Sequence, residues 1–218
     1  MDNEAYQTAT PLFRAITDGN ATAVQKLLAA GEDANESYGI DDESALMVAA
    51  VEGRAEIVKL LLDAGANPNQ GDMHGYTPLL SAVCADSLPA VELLIAAGAD
   101  IHARCGKSGA NALQDAAAGC HVEITHALLH AGADANADET EDGLTTLMCA
   151  VQALCPALVA LLLEHGADAA KQSSRGDTAL QLLSHIEGDL WLPKHVNRAR
   201  KIRALLEAAL QQQAAIAN

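Results

Sequence analysis

Cys120 and His121 stand side by side, and His126 and His130 follow at i and i+4 spacing. A thiol beside an imidazole is raw material for a nucleophile, and two imidazoles one helical turn apart are raw material for a chelate. Neither constellation is complete as written. Adjacency in the chain is not the geometry that activates a thiol, and no orienting carboxylate is implied. The histidine pair, even with Cys120 and His121 upstream, does not spell four converging ligands, and it reads as decoration of the outer, convex face of a short helix. His102 reads as a turn substitution, because Asn35, Asn69 and Asn136 fill its place elsewhere. His165 reads as an ordinary helix C-terminal residue, where a cation is also favoured. The chain has no G-x-x-x-x-G-K-[ST], no G-x-G-x-x-G after a strand, no H-E-x-x-H and no G-x-S-x-G. No catalytic, cofactor-binding or metal-ligating residue is therefore expected.

The elements that must position these side chains follow from a repeat. The triplets Thr10-Pro11-Leu12, Ser44-Ala45-Leu46, Thr77-Pro78-Leu79, Asn111-Ala112-Leu113, Thr145-Thr146-Leu147 and Thr178-Ala179-Leu180 place their leucines 34, 33, 34, 34 and 33 residues apart. A second ladder runs in phase: Leu28, Leu62, Ile95, Leu129 and Leu163 each stand three residues before Gly31, Gly65, Gly98, Gly132 and Gly166. Two independent ladders with one period mark a repeat architecture. The Ser, Thr or Asn at each head suits a helix N-cap, and Pro11 and Pro78 suit a first helical turn. Small residues follow (Ala15, Ala49, Ala82, Ala116, Ala150), and turns such as Glu52-Gly53-Arg54 end the first helix. The spacing of Ile57, Val58, Leu61 and Leu62 predicts a second helix that stops at its glycine. Helices of about 8 to 10 residues are too short to be stable alone, so stacking must supply the stability.

Ser44 to Ala50 with Glu56 to Asn69, and the tails of the other copies, resemble ankyrin repeats over about residues 8 to 209. The resemblance implies an all-α, ankyrin-repeat solenoid of stacked helix-turn-helix units with β-hairpin-like finger loops. It forms a single domain over residues 1–218, with copies at about 8–39, 40–72, 73–106, 107–140 and 141–173 and an irregular one at 174–218. The family's histidine after the leucine is replaced by Phe13, Met47, Leu80, Gln114 or Met148, so an apolar contact is expected where that histidine makes a buried polar link. The mid-hairpin glycine is Asp86 in the third copy and Leu154 in the fifth, and Gly119 stands one place early in the fourth; distorted turns are expected there. In the sixth copy the extra material is roughly Gly188 to Asn197. Arg198, Arg200, Lys201 and Arg203 are expected on the polar side of a final helix whose Ile202, Leu205 and Leu206 face the stack.

Composition narrows the function classes. Of 218 residues, 46 are alanine and 2% are aromatic, so the core must rely on close contacts between small side chains. The formal charge is −16; residues 1–193 hold 8 basic and 28 acidic residues, hence −20, and five basic residues cluster from Lys194 to Arg203. Such a body repels phosphate backbones and anionic headgroups, so neither nucleic acid nor membrane is an expected partner. The ten residues Met1 to Thr10 carry no signal-peptide pattern, which reads as a cytoplasmic address. Five cysteines (Cys84, Cys105, Cys120, Cys149, Cys155), an odd number in a chain with ample core, read as reduced thiols rather than a disulfide framework.

What remains is surface. The resemblance implies that the first helices line a concave groove, the family's usual binding side. The candidate partner-binding residues there are Val48, Val51, Glu52, Ser81, Cys84, Ala85, Asp115, Ala118, Gly119, Cys149 and Gln152. On the fingers they are Tyr38, Asp41, Asp42, Glu43, His74, Tyr76, Lys107, Glu141 and Asp142. Asp138, Glu139, Arg104, Lys171 and Arg175 complete the charge pattern of the rim, and Trp191 is a third aromatic outside the core positions. The resulting expectation is a non-enzymatic, monomeric protein-interaction module whose partner presents a basic or cationic amphipathic surface. The alternatives are an immunity or inhibitor protein that occludes a basic toxin or enzyme, and a scaffold or secreted effector. Further off stand an enzyme using Cys120 and His121, and a self-assembling protein whose basic tail meets the acidic body of the next molecule.

Overall fold

The computed structural model describes residues 9–106, 109–137, 140, 143–188 and 192–216. Thr10, Ser44, Thr77, Asn111, Thr145 and Thr178 all hold extended backbone, and each side-chain oxygen accepts a hydrogen bond from the N–H three residues on. This satisfies one of the orphan donors of each helix start. The chain packs as two compact units, Met1–Gly106 and Lys107–Asn218.

In the first unit three helical hairpins follow one another: α1 (Pro11–Thr17) with α2 (Ala21–Ala29), α3 (Ala45–Val51) with α4 (Ala55–Asp63), and α5 (Pro78–Cys84) with α6 (Leu88–Ala96). The first helices pack α1 on α3 on α5, and the second helices α2 on α4 on α6. Two-residue strands β1 (Ser37–Tyr38) and β2 (Glu43–Ser44) pair antiparallel, Ser37 opposite Ser44 and Tyr38 opposite Glu43; β3 (Arg104–Cys105) closes the unit. Leu12, Ile16, Leu46, Ile57, Leu61, Leu79, Leu80 and Leu94 are fully buried, with Ala49 and Ala82 between them at zero exposure. Each large side chain so buried contributes about 1.5–3 kcal/mol, and the alanines let the helices approach closely.

The second unit holds β4 (Ala110–Asn111), α7 (Ala112–Ala118) with α8 (Val122–His130), and α9 (Thr146–Gln152) with α10 (Pro156–Glu164). It ends with α11 (Ala179–Glu187) and α12 (Pro193–Ile216). Here α7 packs on α9 on α11, and α8 on α10 on α12. Both units are stacks of helix-turn-helix repeats, the architecture of an all-α solenoid.

Four sequence expectations need correction. The turns at Asp86, Cys120 and Leu154 are not distorted: their φ values of 52°, 60° and 49° match 67° at Gly19 and 64° at Gly53. Each is followed by the same hydrogen bond back to the alanine carbonyl, as in Asn20 to Ala15, Arg54 to Ala49, Ser87 to Ala82, His121 to Ala116 and Cys155 to Ala150. Cys120, not Gly119, is the left-handed residue of the fourth copy; Gly119 is a right-handed cap at φ −78°. The repeat geometry overrides residue preference at the cost of backbone strain.

Cys120 and Cys155 form a disulfide, so the all-thiol expectation fails for this pair. Parity of the cysteine count cannot show that stacking brings the turn of one copy against the helix start of the next, with the two Cα atoms 5.9 Å apart. Gln114 departs from the apolar substitutions. It is buried, its Nε2 donates to the carbonyls of Leu144 (3.0 Å) and Ala137 (3.4 Å), and its Oε1 accepts from the N–H of Asn111 at 3.1 Å. In the sixth copy Ile202 and Leu206 are buried but Leu205 is only half-buried, and Pro193 to Asn197 are already helix. Arg203 pairs with Glu187 and reaches the Ser184 hydroxyl at 3.1 Å, clamping α11 to α12.

Candidate functional site

The finger rim of the first unit is built outward from Asp72. Its carboxylate accepts the N–H groups of His74 (2.8 Å) and Tyr76 (2.9 Å), and its own N–H donates to the Tyr76 carbonyl, which folds residues 72–76 into a tight loop. Neighbouring fingers are then zipped together. Met73 N–H donates to the Asp41 carbonyl at 3.1 Å, Gly106 N–H donates to the His74 carbonyl at 2.9 Å, and His74 Nε2 lies 3.0 Å from Asp41 Oδ1. A hairpin formed by β1 and β2 therefore continues into two further loops as one rim.

That rim exposes apolar side chains that a solvated surface does not require. Ile40 is 92% exposed and Met73 65%, with Tyr76 at just over a third. The same two linked loops carry Asp41, Asp42, Glu43 and Asp72. Burial, and then Asp41 and Asp72, push the Glu43 carboxyl above its ordinary range, so the rim gathers carboxylates against their mutual repulsion. Tyr38 is half-buried, its ring 5.3 Å from that of Phe13, and anchors the first finger more than it projects from it. Below the rim, the ends of α3 and α5 present Val51 (50% exposed), Glu52, Cys84 and Ala85. Val48 and Ser81 are buried and offer no accessible surface, because the same turn of helix that exposes Val51 and Cys84 turns them into the stack.

In the second unit Ala118, Gly119 and Gln152 are exposed and Asp115 is half-buried. Cys149 is buried, and its thiol is pushed up to about 11 by burial and by Asp115, which makes it a packing residue. Lys107, Glu141 and Asp142, like Asp138, Glu139 and Trp191, lie outside the described residues. Cys120 is disulfide-bonded and carries no thiolate in this form. A cleft of about 160 Å³ lined by Met148, Gln152, Ser173, Arg175, Asp177 and His185 was not anticipated.

Two features escaped the sequence reading. Ile40 and Met73 are lone apolar residues inside Gly-, Asp- and His-rich connections, a signal hidden when only charges and aromatics are weighed. The second is an asparagine ladder. Asn35, Asn69 and Asn136 donate through Nδ2 to the carbonyls of Gly65, Gly98 and Gly166 and accept through Oδ1 from the N–H groups of Asn67, Asp100 and Asp168. Each side chain thus ties one repeat to the loop of the next.

The family described as "Ankyrin repeats (3 copies)" matches residues 12–105 and 102–173. Among curated proteins, the chain is 38% identical over 118 residues to the nuclear factor NF-kappa-B p105 subunit of Gallus gallus, covering 52% of this chain and 12% of that protein. It is 40% identical over 78 residues to the neurogenic locus Notch protein of Drosophila melanogaster (36% and 3%). It is 33% identical over 98 residues to serine/threonine-protein kinase 12 of Arabidopsis thaliana (45% and 21%). The match spans only a small part of each of these longer relatives. Among the described residues no helix is long and apolar enough to cross a membrane.

Proposed function

The chain belongs to the ankyrin-repeat family, whose repeats are protein–protein interaction modules, and from that premise we propose that it binds a partner protein through the finger rim of its first unit. The observation that carries this reading is that the exposed Ile40, Met73 and Tyr76 share their two linked loops with the carboxylates Asp41, Asp42, Glu43 and Asp72. Exposed apolar anchors with a charged border are the composition of a docking patch: the anchors supply buried area and the border supplies steering. The partner is a protein with a basic or cationic amphipathic surface, met by a monomer of this chain; the charge of −16 disfavours nucleic acid. Val51, Glu52, Cys84 and Ala85 extend the contact along the helix ends.

The role is non-enzymatic. Its relatives differ in kind, a nuclear-factor subunit, a Notch protein and a kinase, and the shared segment is a minor part of each, which supports a portable binding module over a catalytic one. The Cys120–Cys155 bond removes the nucleophile that the enzyme reading needs. It also weighs against the cytoplasmic address, since such bonds persist in oxidising surroundings.

The test is affinity capture with the wild-type chain and with the double variant Ile40→Ser, Met73→Ser. A basic protein captured by the wild type, lost with the double variant and released progressively by salt supports the reading. A partner held equally by both forms moves the site elsewhere.

A further inference from the structure

We infer that His126, His130 and His165 form a site in the second unit for one divalent cation of the Zn²⁺ class. Stacking of α10 beside α8 carries His165 to the i, i+4 pair: the ring centroids lie 4.4 Å apart for His126 and His130, and 6.4 and 6.2 Å from these to His165. Three imidazoles on one ion, at about 2.0–2.1 Å per Zn–N bond, place their centroids roughly 5 Å apart. Each separation is therefore within about 1.5 Å of that spacing. As the side chains stand in this structure, no group of three or more His, Cys, Asp or Glu among the described residues is placed to hold a metal ion. All three rings are exposed, and rotation of the His126 and His130 side chains toward His165, whose ring stays on the Leu161 carbonyl, is the motion that closes them.

Two further observations point to a cation. Nδ1 of His165 lies 2.9 Å from the Leu161 carbonyl oxygen. With Nδ1–H donating there, Nε2 keeps its lone pair, the tautomer in which metal-ligating histidines are held by an outer partner. The three residues also sit at the C-terminal ends of two adjacent helices. His130 is the last residue of α8, His126 stands one turn before it, and His165 caps α10; the negative ends of both helix dipoles favour positive charge there. Imidazoles select Zn²⁺, Cu²⁺ or Ni²⁺ over the oxygen-seeking Mg²⁺ and Ca²⁺. A bound ion would pin α8 to α10 and so couple the fourth repeat to the fifth.

The experiment is calorimetric titration of the full oxidised chain, carrying Cys84→Ser so that this exposed thiol does not compete, with zinc chloride and with magnesium chloride. One Zn²⁺ per chain and no Mg²⁺ binding are expected. His165→Gln and His126→Ala should each weaken Zn²⁺ by at least the roughly tenfold that loss of an outer partner alone costs, with circular dichroism unchanged. Imidazole ¹⁵N spectra should show Zn²⁺ on Nε2 of His165 with Nδ1 still protonated. Unchanged affinity in His165→Gln would mean that the i, i+4 pair acts alone, which overturns the three-ligand site. So would no Zn²⁺ binding, a stoichiometry other than one, or coordination through Nδ1 of His165.

Discussion

Gly65 holds φ +89°, and nothing lies within 4 Å of where a Cβ would stand. Any side chain added there meets open space, so the whole cost is conformational. Gly65→Ala is expected to lower stability by about 1–2 kcal/mol, measured as a shift of the urea midpoint; an unshifted midpoint would contradict the left-handed cap. Glu43 makes the converse case, a residue whose charge opposes the fold. Its carboxyl titrates above the ordinary value because of burial, Asp41 and Asp72. The ionised form therefore costs stability above that raised value, and the cost vanishes as pH falls below the unfolded carboxyl's range. Glu43→Gln should accordingly be more stable than wild type near pH 7, with the gain lost by about pH 3, below the unfolded carboxyl's range, by denaturant titration at each pH. A gain that persists unchanged in acid would assign the effect to packing.

Apart from the 24-residue α12, the described helices are seven or nine residues long, too short to stand alone, so the elements that join them decide whether the stack holds. In four of the five full copies the position after the first-helix leucine is apolar, and in the fourth it is Gln114, which satisfies two loop carbonyls and its own cap N–H. Gln114→Met would copy Met47 and Met148 and leave those buried groups unpaired. It is expected to cost about 1–3 kcal/mol despite the near-equal volume, read from thermal or denaturant midpoints. Stability within 0.5 kcal/mol or so of wild type would show that the loop re-pairs its carbonyls with water. Arg203 works in the same way at the chain's last hairpin, where its contacts with Glu187 and Ser184 give part of the basic tail an internal role.

At the scale of the whole molecule the Cys120–Cys155 bond closes a loop of 35 residues within the second unit. Reduction, or Cys120→Ser with Cys155→Ser, should remove on the order of 2–4 kcal/mol by releasing the unfolded chain. Repeat proteins lose cooperativity when one region weakens, so the reduced protein is expected to unfold in two steps with the residues after Lys107 exchanging amide hydrogens first. Identical single transitions for the oxidised and reduced forms would deny the bond a stabilising part.

Much of the fold was legible in the residues because its determinants are local. An N-cap at Thr77, a proline at Pro78, an apolar spacing at Ile57 to Leu61 and a glycine at Gly65 act within one or two turns of helix, and their 33- to 34-residue recurrence counts the copies. The candidate rim was only partly legible. Asp41, Glu43 and Tyr76 announce themselves by charge and aromaticity, whereas Ile40 and Met73 gain meaning once the Met73 N–H is seen bonded to Asp41. Relations one repeat apart belong to the tertiary structure alone: the bond between Cys120 and Cys155, the approach of His165 to His126 and His130, and the burial of Val48, Ser81 and Cys149. A period says which positions are equivalent. The offset and rotation with which one hairpin stacks on the next decide which non-equivalent positions touch, and those are set by side-chain packing across the whole stack.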